Sequence, residues 1–322
     1  MNIYRSLAEL PPDFGPGTVT IGNFDGVHCG HRQILRRVAA IAAEHGWKAS
    51  VLTFDPHPTR IVAPRRTPPL LTSPERRALL MREEGISQVL ILPFTQEIAL
   101  LTPKEFVQRL LVDAMATRAV LVGDNFRFGH KAAGNVRVLA ELGGRLGFTT
   151  EVVPAISYRG RIVSSSALRE LITAGNVSLA ARLLLHAYGM EGQVVSGRGV
   201  GSKQTVPTLN LATSAEVIPA VGVYVTRTRD LNSAREWRSV TNIGYRPTFG
   251  ASEPLTIETF LLDPLLGDTP SFIRVEFLHR LRAERKFDSP GELRAQILRD
   301  VRTAQNYFRR ASAWTGRPCI SC

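Results

Sequence analysis

Thr20-Ile-Gly-Asn-Phe-Asp-Gly-Val-His-Cys-Gly-His31 is the most informative stretch of this 322-residue chain. It overlaps a β-branched strand candidate, Thr18–Gly22, and leads into an amphipathic stretch, His31–His45, so it reads as a strand-to-helix turn. Outward from it, strand candidates Ala49–Phe54, Gln88–Pro93, Ala119–Gly123 and Thr149–Pro154 alternate with helical stretches Ser73–Glu84, Pro103–Met115 and Asn135–Leu146. Ser73-Pro74-Glu75 supplies an N-cap and a proline at the first helical position. Gly46 and Gly85 stand where helices stop. Strands that are apolar throughout, spaced by helices, predict a parallel sheet covered on both faces.

From about Tyr188 the pattern changes to short runs rich in Val, Thr, Tyr and Ile: Gly192–Ser196, Gly222–Thr228, Trp237–Ile243, Thr256–Leu262 and Ile273–Leu281. Turn clusters separate them, which predicts an antiparallel barrel or sandwich. Ser289–Phe308 has helical spacing with a capping start, and Arg309–Cys322 reads as a frayed tail. The expected organisation is an α/β domain over 1–186, a β-rich domain with a C-terminal helix over 187–310, and a tail over 311–322.

Hydrophobic residues make up 44% of the chain and charged residues 21%, which excludes an intrinsically disordered protein. No apolar run approaches the ~18 residues of a membrane span, and Met1–Gly17 lacks the layout of a signal peptide. Three cysteines cannot build a disulfide framework, so the cytoplasm is the default compartment. Cys319 and Cys322 have redox or metal spacing but read as free thiols on a tail. The net charge of +12 asks for an anionic partner. It is spread along the chain, and only five of the 40 basic residues are Lys. That distribution favours phosphate-bearing small molecules over nucleic acid.

An open parallel sheet binds ligands at the carboxyl ends of its strands, where the loop from Gly22 to His31 belongs. Gly22, Gly26 and Gly30 allow a ligand to approach the backbone, and the following helix points free N–H groups at the same space. His28 and His31 can both donate to an anion there, the kind of stabilisation that phosphoryl transfer needs. Taken alone, His-x-x-His also fits a metal pair or two structural histidines. Three further loops fall at strand ends of the same domain. Thr53-Phe-Asp-Pro-His-Pro58 makes a rigid wall with His57. Gly123-Asp-Asn-Phe-Arg-Phe-Gly129 offers Asn125 and Phe126 as a pocket floor. Ser164-Ser-Ser-Ala-Leu-Arg169 opens a helix with hydroxyls that cap it or hold phosphate.

The β-rich half carries Gly197-Arg-Gly-Val-Gly-Ser-Lys-Gln-Thr-Val-Pro-Thr-Leu-Asn210, a Gly-rich loop without the Walker pattern. A flexible hairpin is the alternative. Thr208 and Asn210, two apart on an extended segment, place two neutral oxygens on one side, which suits a Mg²⁺ already neutralised by ATP phosphates. Glu258 falls inside an otherwise apolar strand; it is either a working carboxylate or simply on the exposed face.

The string around His28 and His31 resembles the adenylyl/cytidylyl-transferase signature. Together with Pro207-Thr-Leu-Asn210, Asn242-Ile-Gly and Glu258 before Phe260-Leu-Leu-Asp263, it resembles the bacterial bifunctional riboflavin kinase/FMN adenylyltransferase (FAD synthetase) family over residues 18–308. The resemblance implies an α/β nucleotidyltransferase-type domain followed by an antiparallel β-barrel domain. It implies riboflavin phosphorylation to FMN in the barrel and FMN adenylylation to FAD, with pyrophosphate release, in the α/β domain. ATP would be the co-substrate and Mg²⁺ the cofactor, with riboflavin, FMN and FAD as the other ligands. No nucleic acid or membrane partner is expected, and a homo-oligomer is left open.

Carried across residue by residue, the resemblance makes His28 and His31 the stabilisers of the transferring phosphate and Glu258 the base for the ribityl hydroxyl. Gly22, Phe24, His57, Ser165, Ser166, Arg169 and Gly201 join the ATP- and phosphate-binding set. Asn125, Phe126 and Arg282 join the flavin set, and Thr208 and Asn210 the metal set. One departure stands out: Thr205-Val206 replaces the Gly-Phe usual before Pro-Thr, losing a flexible hinge and a stacking ring. A nucleotidyltransferase with a degenerate barrel is therefore a rival reading.

Overall fold

A computed structural model describes residues 1–195, 208–245 and 255–313. The chain divides into two compact units, Met1–Ser165 and Ser166–Cys322. The division expected after His186 lies further on, beyond two helices at the start of the second unit.

The first unit is built on a six-stranded sheet: β1 (Asn2–Tyr4), β2 (Gly17–Ile21), β3 (Lys48–Phe54), β4 (Gln88–Leu92), β5 (Thr117–Gly123) and β6 (Thr149–Val153). All its pairings are parallel, in the order β1-β4-β3-β2-β5-β6. The chain runs outward from β2 through β3 to β4, then returns to the other side of β2 for β5 and β6. The order reverses between β2 and β5, which is where such sheets open a ligand crevice at their carboxyl ends. Three residues cannot display a period, so β1 had no signal in the sequence; it forms by pairing with Gln88–Leu90.

Alternate residues of these strands feed two cores, one on each face. Leu35, Val38 and Ile41 of α1 (Cys29–His45) and Leu80 and Met81 of α2 (Pro74–Glu83) pack on Val51, Val89, Ile91 and Leu121. On the other face Phe106, Leu110 and Leu111 pack on Val19, Leu52, Leu90 and Val120. The helix expected over Pro103–Met115 is two pieces, α3 (Pro103–Phe106) and a π-helix, Val107–Ala114. Its buried residues are Val107, Leu110 and Leu111, and Met115 follows at its C-cap. Asn135 caps α4 (Val136–Leu146), accepting from the Val138 N–H, and Gly147 ends it at φ 85°.

The second unit begins within α5 (Ser165–Thr173), and α5 and α6 (Val177–Leu184) precede a closed barrel. Its strands are β7 (Tyr188–Val195), β8 (Thr208–Thr213), β9 (Gly222–Asp230), β10 (Glu236–Tyr245), β11 (Leu255–Leu261) and β12 (Phe272–Ala283). They close antiparallel in the order β7-β8-β11-β10-β9-β12, so the choice between barrel and sandwich falls to the barrel. Strand β8 was not separated from the Gly-rich stretch in the sequence. The interior mixes apolar side chains with a fully buried hydroxyl chain. Thr228, Ser239, Thr226, Thr241 and Thr259 link successively at 2.8, 2.8, 2.7 and 2.9 Å. Outside, α7 (Pro290–Ala313) covers Val223, Val225 and Val240 through Ala304, Tyr307 and Phe308. The helix therefore continues five residues into the expected tail; residues 314–322, with Cys319 and Cys322, lie outside the described residues.

Candidate active sites

The loop after β2 is held from two sides. Asp25, only 2% exposed, accepts from the Leu71 N–H at 3.0 Å, the Thr72 N–H at 3.1 Å and the Thr72 hydroxyl at 3.3 Å. The Gly26 N–H in turn donates to Thr72 Oγ1. The Asn23 amide lies 2.8 Å from His57 Nε2, and the His57 Nδ1 side is held by Thr59. The wall expected at His57 is thus joined directly to the loop. Ser165, in the Ser-Ser-Ser segment, donates its hydroxyl proton to the Asp25 carbonyl at 2.8 Å. That ties the Ser-Ser-Ser segment to the same loop.

Helix α1 begins at Cys29, two residues before the expected His31, because His28 is its N-cap: His28 Nδ1 accepts from the His31 N–H at 3.4 Å. With Nδ1 an acceptor, the proton of the neutral ring sits on Nε2, where it can be donated onward. The two imidazoles stack at 3.7 Å between centroids, and Phe24 meets His31 edge-on at 5.1 Å. Phe24 is a buried wall for the histidine, at φ 50°, and a Cβ on Gly22 would press against its ring. Gly30 is similarly close to His28.

Both rings are uncharged near neutral pH. Burial lowers His28 to about 4, against the upward pull of Asp25. Burial, then the charges of His28 and Arg77, push His31 well below the ordinary imidazole range. His31 Nδ1 is buried with no hydrogen-bond partner among the described residues.

Across the switch point, the turn after β5 leaves Asn125 exposed and Phe126 half-buried, its ring stacked on Phe128 at 5.5 Å. Ser166 is exposed on α5, and Arg169 follows one turn later on the same helix.

In the barrel, register does what loops do in the sheet. Glu258 of β11 stands directly opposite Asn210 of β8 and Asn242 of β10, so three polar side chains share one row and one face. Ile257, Thr259 and Leu261 are buried on the opposite face, inside the barrel, while Glu258 is half-buried. Thr208 lies two residues from Asn210 on that same face. Arg282 pairs with Asp300 of α7 at 2.9 Å, and its guanidinium lies 5.7 Å from the Phe287 ring. Gly201, Thr205-Val206 and Pro247-Thr248 lie outside the described residues.

A family model described as FAD synthetase matches residues 11–167, and one described as Riboflavin kinase matches residues 184–308. The chain is 35% identical over 306 residues to the bifunctional riboflavin kinase/FMN adenylyltransferase of Pseudomonas fluorescens, covering 95% of this chain and 97% of that one. It is 33% identical to the protein of the same name from Escherichia coli K12, covering 96% and 98%. The chain belongs to the bifunctional riboflavin kinase/FMN adenylyltransferase family. It is accordingly an enzyme with an N-terminal FAD synthetase domain and a C-terminal riboflavin kinase domain. A solved Streptococcus pneumoniae structure described as a macrolide-efflux protein superposes with a TM-score of 0.83 at 25% identity, covering 94% of this chain and 98% of that one. Among the described residues no helix is long and apolar enough to cross a membrane.

Within this family member, several residues of the two sites escaped the sequence reading. Asn242 sat inside a quoted motif but gains meaning only from its pairing with Glu258. Asp25 lay in the decisive loop, yet nothing in the sequence joins it to Thr72. Arg77 ends a run of three adjacent helical charges, Glu75-Arg76-Arg77, the usual mark of a solvated face, and is 3% exposed.

Proposed function

We propose that the barrel transfers the γ-phosphoryl group of ATP to riboflavin and that the α/β unit then joins FMN to AMP. In the second reaction an FMN phosphate oxygen bonds to the α-phosphorus of ATP as the bond to the departing pyrophosphate breaks. His28 Nε2–H and the neutral ring of His31 donate to the charge that builds up there, with no covalent intermediate. The amide groups opening α1 add a favourable field for an anion. Asn125 and Phe126 serve the flavin side; Gly22, His57, Ser166 and Arg169 serve the phosphates; Phe24 acts by backing His31. Ser165 acts by holding the Asp25 carbonyl of the histidine loop.

In the barrel, Glu258 takes the proton of the ribityl hydroxyl as that oxygen bonds to the γ-phosphorus and ADP departs. Asn210 and Asn242, one on each neighbouring strand, orient its carboxylate row. Thr208 and Asn210 fit Mg²⁺ because they offer neutral oxygens to an ion whose charge the nucleotide balances. When bound, the ion would supply charge stabilisation on the ATP phosphates. The anionic ligands account for the basic composition without nucleic acid, and the cytoplasm is the compartment proposed.

The observation that carries this reading is the strand order, which sets the loop of His28 and His31 after β2 and the Asn125 turn after β5, the two strands that flank the sheet's switch point. Incubation with riboflavin, ATP and Mg²⁺, followed by separation of the flavins, tests it. FMN should appear first and FAD after it; absence of FAD with FMN supplied would refute the assignment of the first unit.

A further inference from the structure

Arg77 is a cation that the sheet unit buries without an ion pair. It is 3% exposed, and among the described residues no carboxylate lies within salt-bridge distance of it. Its two hydrogen bonds are long: Nη1 to Thr53 Oγ1 and Nη2 to the Thr72 carbonyl, each 3.4 Å. Its Nε is buried with no partner among the described residues. Burying a guanidinium on such terms is costly unless its charge is used.

Both contacts lead, within one further bond, into the histidine loop. Thr53 Oγ1 donates to the Asn23 carbonyl. Thr72 receives the Gly26 N–H and donates to Asp25. Arg77 therefore backs the loop through Thr53 at Asn23 and through Thr72 at Asp25 and Gly26, and its charge reaches His31, whose own Nδ1 is likewise buried without a partner among the described residues.

We infer that Arg77 is a positioning residue for adenylyl transfer: a fixed, buried cation, tied to Thr53 and Thr72, that presents positive charge to His31 and to the anion the histidine loop receives. This rests on the adenylyl-transfer reading of the first unit. The titratable groups that act on the His31 ring are His28 and Arg77. Asp25 acts on both of these, and Asp55 and Glu75 act on Arg77. Of these, Arg77 is the permanent cation, so its removal lets His31 take up a proton more readily. Binding of the nucleotide phosphates then adds negative charge at the loop that Arg77 backs.

The test compares the full-length native enzyme with Arg77→Gln and Arg77→Lys. FAD formation from FMN and ATP, FMN formation from riboflavin, and the His31 ring titration by NMR are followed in each. Arg77→Gln should lower kcat for FAD formation about 100-fold, leave FMN formation intact, and move the His31 titration upward. Arg77→Lys should keep FAD formation within about tenfold of native and His31 uncharged. Equal losses in both variants with an unmoved His31 would overturn the inference, as would an undiminished Arg77→Gln. Should Arg77→Gln fail to fold, a folded Arg77→Lys that has lost FAD formation would also overturn it. A native enzyme that makes no FAD would instead refute the adenylyl-transfer reading itself.

Discussion

The sheet unit and the barrel build their sites in opposite ways. In the sheet unit the strands are scaffold, and every candidate side chain sits in a loop or a helix start beyond their ends. Those loops are cross-braced: Asp25 to Leu71 and Thr72, Asn23 to His57, Ser165 to the Asp25 carbonyl. In the barrel the candidate groups are strand residues themselves, and pairing alone sets Asn210, Glu258 and Asn242 side by side. Their interiors differ as well. The sheet unit fills both faces with apolar cores, whereas the barrel buries five linked hydroxyls. A loop site depends on braces that single substitutions can cut one by one; a register site depends on the ladder as a whole.

The largest expected effect separates the two sites at once. Glu258→Gln should lower FMN formation from riboflavin by about 10²–10⁴-fold, measured by flavin separation, while FAD formation from supplied FMN persists. Next, His28→Ala should lower FAD formation by about 10²–10³-fold with FMN formation unchanged, since the cap and the Nε2 donor are lost together. A smaller effect sharpens the contrast in interiors. Thr241→Val leaves Thr226 and Thr259 each short of a partner and should cost about 1–3 kcal/mol in denaturant unfolding, with FAD formation unaffected.

The smallest effect is a pH dependence. His28 titrates near 4 in the folded unit and near 6.5 when unfolded. The unfolded chain therefore binds the proton first, and stability is lost as pH falls from about 6.5 toward 4. In His28→Gln that slope should shrink, as read by unfolding midpoints at a series of pH values.

Much of this was legible before the structure. The five strands β2 to β6, α1, α2 and α4 follow from apolar periodicity, cap residues and the stop at Gly46, because each is a local signal. The π-helix after Phe106 was not, since its short apolar stretch also fits an ordinary helix. Strand β1 was not, because its only cause is its partner β4. In the first site the motif was legible but its braces were not: Asp25 and Thr72 are 47 residues apart, and only the fold makes them neighbours. Arg282 holds Asp300 across 18 residues, a pairing that no local signal announces. In the barrel, Glu258 was conspicuous as a carboxylate among apolar residues, whereas Asn242 became meaningful only through register.

The independence of the two constructions is tested most directly in a time course of His31→Ala with riboflavin, ATP and Mg²⁺. Riboflavin should disappear at the native rate and FMN should accumulate without conversion to FAD. Undiminished FAD, or the loss of FMN together with FAD, would contradict the assignment of one reaction to the histidine loop and the other to the barrel row.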